Sequence, residues 1–169
     1  MTAYRSAAVL LLAWGALMPA TATVSAYPQA TSQLQVTTTV VGKCTITTQD
    51  VTFGNYDPVV ANASAPLDGA GAVTIACTQG TVATIGIDVG SNSQGLVRRM
   101  AGGPNFLSYE LYKDSARAQV WGSAGAAAMV LPAAPSMQPR TYQIYGRLPP
   151  AQDVPTGAYL DRALATVSF

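Results

Sequence analysis

Near its start the chain carries the alternating sequence Leu34-Gln35-Val36-Thr37-Thr38-Thr39-Val40. Successive side chains of an extended strand point to opposite faces, so one face collects Leu34, Val36, Thr38 and Val40. The pattern predicts a half-buried strand over residues 34–41. Gly42 follows it and separates it from the next segment.

A second alternating segment occupies residues 163–169, and its inward members are predicted to be Ala165, Val167 and Phe169. Strands at the ends of a domain are normally blunted or frayed, because an open strand edge invites pairing with another chain. Two uncovered strands suit a subunit that lends its first strand to a neighbour and has its last strand covered in turn.

Between these segments the chain alternates short apolar runs with turn residues and shows no helical period after the first 26 residues. Strands are predicted at residues 43–47, 51–53, 72–77, 82–89, 107–112, 119–121 and 141–147. Loops are predicted at residues 59–71 and 90–103, the second with Arg98 and Arg99 in solvent. Many short strands with turn signals indicate an all-β sandwich or barrel.

Residues 1–26 have the pattern of a secretory signal peptide. Arg5 precedes an apolar run at residues 7–18, and small residues end at Ala26 before Tyr27. The run is too short to span a bilayer. We therefore expect a soluble, exported mature chain that begins near Tyr27.

Composition narrows the function classes. Without Arg5 the chain has eight basic and eight acidic residues, so no basic field attracts nucleic acid or anionic lipid. Charged residues make up 10% of the chain, a low share that suits a subunit packed into a polymer. Two cysteines in an exported protein favour a disulfide between Cys44 and Cys77, and zinc lacks further ligands.

No catalytic set is found in the sequence. The chain has no histidine, which removes Ser-His-Asp and Cys-His arrangements. We predict no enzyme activity and no catalytic, cofactor-binding or metal-binding residues. The Gly69-Ala70-Gly71 segment is interpreted as turn chemistry, and Asn62-Ala63-Ser64 as a chance match to the glycosylation motif.

Several short sequence motifs, taken in order, resemble those of the spore coat protein U domain family, which includes subunits of archaic (Csu-type) chaperone–usher pili. The motifs in the first half of the chain are Cys44-Thr45-Ile46, Phe53-Gly54-Asn55-Tyr56-Asp57-Pro58 and Cys77-Thr78-Gln79-Gly80. The motifs in the second half of the chain are Leu107-Ser108-Tyr109-Glu110-Leu111-Tyr112-Lys113-Asp114, Tyr145-Gly146-Arg147-Leu148-Pro149 and Gly157-Ala158-Tyr159-Leu160-Asp161. The resemblance covers residues 34–169.

The resemblance implies an incomplete immunoglobulin-like sandwich that is completed by a donated strand. It divides the chain into a signal peptide (1–26), an extension with the donor strand (27–42) and the sandwich domain (43–169). It implies a periplasmic chaperone, an outer-membrane usher and neighbouring subunits as partners. The balanced charge and the lack of a membrane-spanning apolar run predict no nucleic-acid partner and no stable membrane insertion. The expected product is a fimbrium at the cell surface, serving adhesion and biofilm formation, with strand addition as its binding mode.

Other readings stay open at this point. The chain could be a secreted spore-coat or matrix protein of the same fold, completed by its own residues 34–41. It could also be a carbohydrate-binding or adhesive module, such as a pilus tip.

Overall fold

The computed structural model describes residues 27–169, so the predicted signal peptide lies outside the described residues. The described chain falls into two units, one ending at Thr38 and one covering Thr39–Phe169. Within residues 27–169, no helix has both the length and the apolar character required to cross a lipid bilayer.

The described residues contain eight strands and one three-residue 3-10 helix at Gly125–Ala127. The first four strands are β1 (Cys44–Thr52), β2 (Leu67–Cys77), β3 (Ala83–Ile87) and β4 (Arg98–Gly102). The other four are β5 (Asn105–Tyr112), β6 (Met129–Leu131), β7 (Arg140–Leu148) and β8 (Ala165–Ser168).

The strands form two antiparallel sheets. One has the order β1-β2-β7-β5-β4 and the other has the order β6-β3-β8. Inward residues alternate with outward ones along β5 and β7, which is the pattern of a sheet with one buried face. Ile75, Leu111 and Ile144 of the larger sheet and Ile85 of the smaller one belong to a single buried cluster, so the sheets pack as a sandwich.

Two predictions about local structure are wrong. The predicted loop at residues 59–71 ends at Pro66, because β2 begins at Leu67 and continues through the glycines. Residues 119–121 form no strand and contribute only a single bridge between Val120 and Tyr112. Residues 34–41 form no strand within the single described chain, which offers them no partner strand, so their pairing as a donated strand stays a prediction.

The prediction of a polar loop over residues 90–103 is also wrong for the second half of that range, which forms β4. Arg98 opens β4 and is 2% exposed, so it does not lie in solvent. Its guanidinium pairs with the Glu110 carboxylate and donates to main-chain carbonyls of the other sheet. Pairing and full hydrogen bonding make this burial of charge possible.

Candidate functional site

Two outer strands of the sandwich lie side by side without being paired. β1 is an outer strand of the larger sheet, and β8 is an outer strand of the smaller one. They have Cα atoms within 8 Å of each other, yet within residues 27–169 β1 pairs only with β2, and β8 pairs only with β3. Each strand therefore presents one row of backbone groups that is available to another strand.

A groove of about 1660 Å³ opens beside these edges. One wall is formed by residues 48–59, from the end of β1 and the loop after it, and the other by residues 153–165. The floor is part of the apolar core and includes Leu107, Leu111, Ile144 and Leu148. Because the groove combines partly exposed apolar side chains, such as Phe53, Met100 and Val154, with unpaired strand edges, it is suited to an extended apolar segment.

A bulge in β1 shapes the first wall. The register between β1 and β2 shifts between Gln49 and Thr52. At this bulge the side chains of Val51 and Phe53 lie over the inner face of the larger sheet. There they lie on three glycines. A Cβ would come within 2.6 Å of the Phe53 ring at Gly69 and at Gly146, and within 2.7 Å of Val51 at Gly71. The close packing of this wall thus requires positions without a side chain, and the interpretation of Gly69 and Gly71 as turn residues is wrong.

Asp161 orders the second wall. Its carboxylate accepts hydrogen bonds from the Tyr109 hydroxyl (2.8 Å) and from the Asn92 main-chain N–H (3.1 Å). Asp88 acts similarly, accepting from the main-chain N–H groups of Gly90 and Leu164. Burial raises the pKa of Tyr109, and the hydrogen bond to Asp161 raises that pKa further. These contacts fix the chain that leads into β8.

The Tyr109→Phe variant is expected to lose about 1 kcal/mol of unfolding free energy at pH 7, because one hydrogen bond to Asp161 is removed. The folded pKa of Tyr109 is raised, so its contribution is complete below the unfolded pKa of about 10 and is lost as pH rises above that value. Urea unfolding from pH 7 to 11 should therefore show the deficit of Tyr109→Phe shrinking above pH 10. The exposed Tyr27→Phe should reproduce the wild-type curve; a deficit of Tyr109→Phe that stays constant to pH 11 would contradict the assignment.

The predicted site residues lie in different parts of the structure. Ala165 lines the groove, Val167 is half-buried on the same strand face, and Phe169 lies one residue beyond β8 and is exposed. The predicted donor residues Leu34, Val36, Thr38 and Val40 are all exposed, Leu34 and Val36 at 87% each. Their roles as donor strand and groove edge remain predictions.

The disulfide is confirmed. Cys44 and Cys77 are bonded and lie opposite one another at the start of β1 and the end of β2. We call this the disulfide end of the sandwich. Beside it, Thr78 holds the chain that precedes β1: its hydroxyl accepts from Lys43 N–H (3.1 Å) and lies 3.3 Å from the Val41 carbonyl oxygen. The extension therefore leaves the sandwich at the disulfide end.

Asn62, which begins the chance match to the glycosylation motif, has a structural role in the loop between β1 and β2. It is buried, its side-chain oxygen accepts from Asp57 N–H (3.0 Å), and its amide donates to the Ala65 carbonyl (3.2 Å). These contacts make Asn62 a loop-forming residue, so the motif at 62–64 is a chance match. No group of three or more potential metal-ligating side chains occurs in residues 27–169.

The described residues form an all-β sandwich with an open groove beside two unpaired strand edges and a disulfide at one end. The family model of the spore coat protein U domain matches residues 30–166. The chain belongs to the spore coat protein U domain family. It is 34% identical over 154 residues to "Protein U" of Myxococcus xanthus, covering 83% of this chain and 85% of that protein.

A solved structure extends the comparison. The chain resembles one chain in the crystal structure of the CsuC–CsuE chaperone–tip adhesion subunit pre-assembly complex from the archaic chaperone–usher Csu pili of Acinetobacter baumannii. The sequences are 25% identical and the TM-score is 0.55. The match covers 78% of this chain but only 40% of that chain. The resemblance supports the immunoglobulin-like sandwich and places this chain among structural subunits of the spore-coat and pilus type.

Proposed function

We propose that this protein is an exported structural subunit of a surface fibre that assembles by strand donation. Residues 34–40 of one copy fill the groove of the next copy. The observation that carries the proposal is the pairing of an open groove with an exposed alternating segment on the same chain. The two features complement each other, because the segment has exposed apolar side chains and the groove offers partly exposed apolar side chains beside unpaired strand edges.

The energetics favour the exchange. Burying Leu34, Val36 and Val40 contributes about 1.5–3 kcal/mol for each side chain. The same insertion pairs the donor backbone with the free edges of β1 and β8, which removes two aggregation-prone edges. The family model starts at residue 30, so the matched region includes this segment together with the sandwich.

We further propose that a periplasmic chaperone covers the groove before assembly and that an outer-membrane usher exports the subunits. The similarity to a chain of a chaperone–subunit complex supports the first of these partners. Adhesion and biofilm formation are the proposed roles of the fibre, since a polymer of sparsely charged subunits at the cell surface forms an extended contact layer.

The Val36→Asp variant tests the donor strand. We expect the variant to fold and to bind a chaperone but to fail to assemble, because the substitution moves a carboxylate into an apolar groove at a cost of several kcal/mol. The measurement is fibre formation by purified protein, followed by electron microscopy and sedimentation, beside thermal unfolding of the unassembled subunit. Gln35→Asp, on the opposite strand face, is the matched control and should assemble nearly as well as wild type.

A secreted spore-coat or matrix protein is the second candidate, favoured by the family description and by the similarity to Protein U. If residues 34–41 complete their own sandwich, Val36→Asp will destabilise the single subunit. Full-strength fibres from Val36→Asp would instead show that residues 34–40 are not the donor strand.

A further inference from the structure

A pair of tyrosines lies on the outer face of the larger sheet, which is turned away from the core. Tyr112 of β5 and Tyr145 of β7 stand directly opposite one another, and Ala70 of β2 stands opposite Tyr145 on its other side. Cross-strand neighbours point to the same face of a sheet, so the three side chains form one row. Both tyrosines are half-buried and Ala70 is exposed, which leaves a step beside the Tyr145 ring. We call this row the tyrosine shelf.

Two arginines and one aspartate border the tyrosine shelf. Arg147 donates to both oxygens of the Asp68 carboxylate, from Nε (2.7 Å) and from Nη2 (3.0 Å). Arg117 reaches the same carboxylate from the turn after β5, with its Nη1 3.1 Å from Oδ2. The guanidinium carbon of Arg117 lies 5.8 Å from the centre of the Tyr145 ring. Asp68 therefore positions both guanidinium groups beside the tyrosines.

The backbone of Arg117 is strained in this position. Its φ of 55° lies in the left-handed region, which residues other than glycine rarely adopt. The side chain is fixed by two further hydrogen bonds, from Nε to the Gly146 carbonyl (3.2 Å) and from Nη1 to the Ser115 carbonyl (3.2 Å). A partly exposed ion pair contributes little to stability, so the pair with Asp68 is a poor reason for a strained backbone. Strain of this kind is typical of binding sites, where it fixes a side chain in advance.

The cluster carries one excess positive charge, because two guanidinium groups face one carboxylate. The hydrogen bond from Arg147 holds the pKa of Asp68 below its usual value, so this carboxylate is charged at neutral pH. Two further acids lie nearby and are already occupied. Glu110 pairs with the buried Arg98, and Asp114 accepts from main-chain N–H groups of its own turn. The excess charge therefore favours an acidic ligand.

Both guanidinium groups keep a donor for such a ligand. Arg117 uses Nε and Nη1, and Arg147 uses Nε and Nη2. Within residues 27–169, neither the Nη2 group of Arg117 nor the Nη1 group of Arg147 donates to a protein acceptor. Guanidinium groups bind carboxylates through paired N–H donors, so the two free groups are suited to a carboxylate from outside the chain.

The surroundings of the tyrosine shelf favour a sugar polymer over a peptide. β2 and β7 are each paired on both sides, so they offer no free edge that a peptide strand could join. The apolar face of a sugar ring packs well against an aromatic ring. Gln143 lies on the same face of β7, is exposed, and has an amide that can bond to hydroxyl groups. An open shelf on a sheet face also suits a long chain better than an enclosed small molecule.

We propose that the tyrosine shelf binds acidic polysaccharides built from uronic acids. A sugar ring lies over the step at Ala70 against Tyr145, and its carboxylate is held by Arg117 and Arg147. The shelf shares no residue with the lining of the groove, so this inference does not depend on strand donation. In a fibre each subunit would present one shelf, and the repeated sites would strengthen weak single contacts through multivalency.

Isothermal titration calorimetry of the purified protein with polygalacturonate fragments tests the chemistry of the ligand. Dextran, a neutral sugar polymer, and poly-glutamate, an anion without sugar rings, are the comparison polymers. We expect polygalacturonate to bind at least about tenfold more tightly than either of them. Equal binding of poly-glutamate would indicate a general anion patch, and equal binding of dextran would indicate a neutral-sugar site. Either result, or no binding of polygalacturonate, would overturn the proposal.

The Ala70→Glu variant tests the location of the site, because it places a carboxylate in the step without removing a contact. Affinity for polygalacturonate should fall by at least about tenfold. Ala133→Glu is the matched control, since it adds the same charge at an exposed alanine after β6 of the smaller sheet, and it should bind like wild type. Wild-type affinity in Ala70→Glu, or the same loss in both variants, would overturn the assignment.

The Tyr145→Leu variant tests the stacking surface, because leucine keeps an apolar side chain and removes the flat ring. It should also weaken binding of polygalacturonate by about tenfold. Phe106→Leu is its control, since Phe106 has Arg99 stacked on its ring at 4.2 Å on the same outer face but lies outside the shelf. Thermal unfolding of each variant confirms that it is folded. Equal affinities of Tyr145→Leu and Phe106→Leu would contradict the role of the shelf.

Discussion

Replacing Arg98 with methionine is expected to lower the free energy of unfolding by about 3–5 kcal/mol. Arg98 is 2% exposed, and its guanidinium is the centre of a buried polar network. It pairs with Glu110 and donates to the main-chain carbonyls of Ile87 (3.0 Å), Asp88 (2.7 Å) and Trp121 (2.7 Å). The substitution fills much of the volume but leaves these acceptors without a donor, which is the main cause of the loss.

The position of Arg98 explains why the effect should be large. The residue belongs to β4 of the larger sheet, while Ile87 ends β3 of the smaller sheet. The fully buried Trp121 donates in turn to the Ile85 carbonyl (2.9 Å). One guanidinium thus joins the two sheets close to the groove.

Denaturant unfolding of Arg98→Met measures the effect, and Arg99→Met is the matched control from the next position of β4. Arg99 donates to the Asn92 carbonyl and to Gln94 near the surface, so its loss should stay below about 1 kcal/mol. The double variant Arg98→Met/Glu110→Leu should recover part of the stability, because it leaves no unpaired carboxylate. An Arg98→Met protein as stable as Arg99→Met would contradict the structural role assigned to the guanidinium.

Removing the disulfide with Cys44→Ala/Cys77→Ala is expected to cost about 2–5 kcal/mol. The bond closes a loop with a sequence separation of 33 and so limits the freedom of the unfolded chain. It also fixes the start of β1 beside Thr78, where the extension leaves the sandwich. The variant should therefore unfold at lower denaturant concentration and assemble less efficiently.

Chemical unfolding of the purified variant provides the measurement. Wild-type protein reduced with dithiothreitol should lose a similar amount of stability, which separates loss of the bond from loss of the two sulfur atoms. Thiol titration of the oxidised wild type under denaturing conditions should find no free thiol. Two titratable thiols per chain, or equal stability before and after reduction, would show that the bond does not support the fold.

Local patterns in the sequence determined the strands with the clearest alternation. β5 and β7 follow it closely, with Leu107, Tyr109 and Leu111 buried on one face of β5. These strands were predictable because a two-residue period is a local property of the chain and needs no knowledge of the partner strand. The disulfide was predictable for a related reason, since two cysteines allow only one intramolecular pair.

The sequence alone was a poor guide wherever a residue's environment came from distant parts of the chain. Gly69 and Gly71 suggested a turn, but in the fold they provide room for Phe53 and Val51 on the inner face of a strand. Arg98 was predicted to lie in solvent, but the Glu110 carboxylate and three carbonyls from two other segments make its burial favourable. Neither outcome follows from neighbouring residues, because close packing and charge compensation depend on which strands meet.

The difference between what the sequence determines and what the tertiary structure decides is clearest for the donor segment and the groove. Alternation in the sequence marked residues 34–40 as apolar on one face, and nothing outside the chain was needed to recognise that pattern. Only the tertiary structure decided that these side chains are exposed and that the edges of β1 and β8 remain unpaired beside an open groove. The physical reason is that a strand's side-chain pattern is local, whereas its hydrogen-bond partner is selected by the assembled sheet.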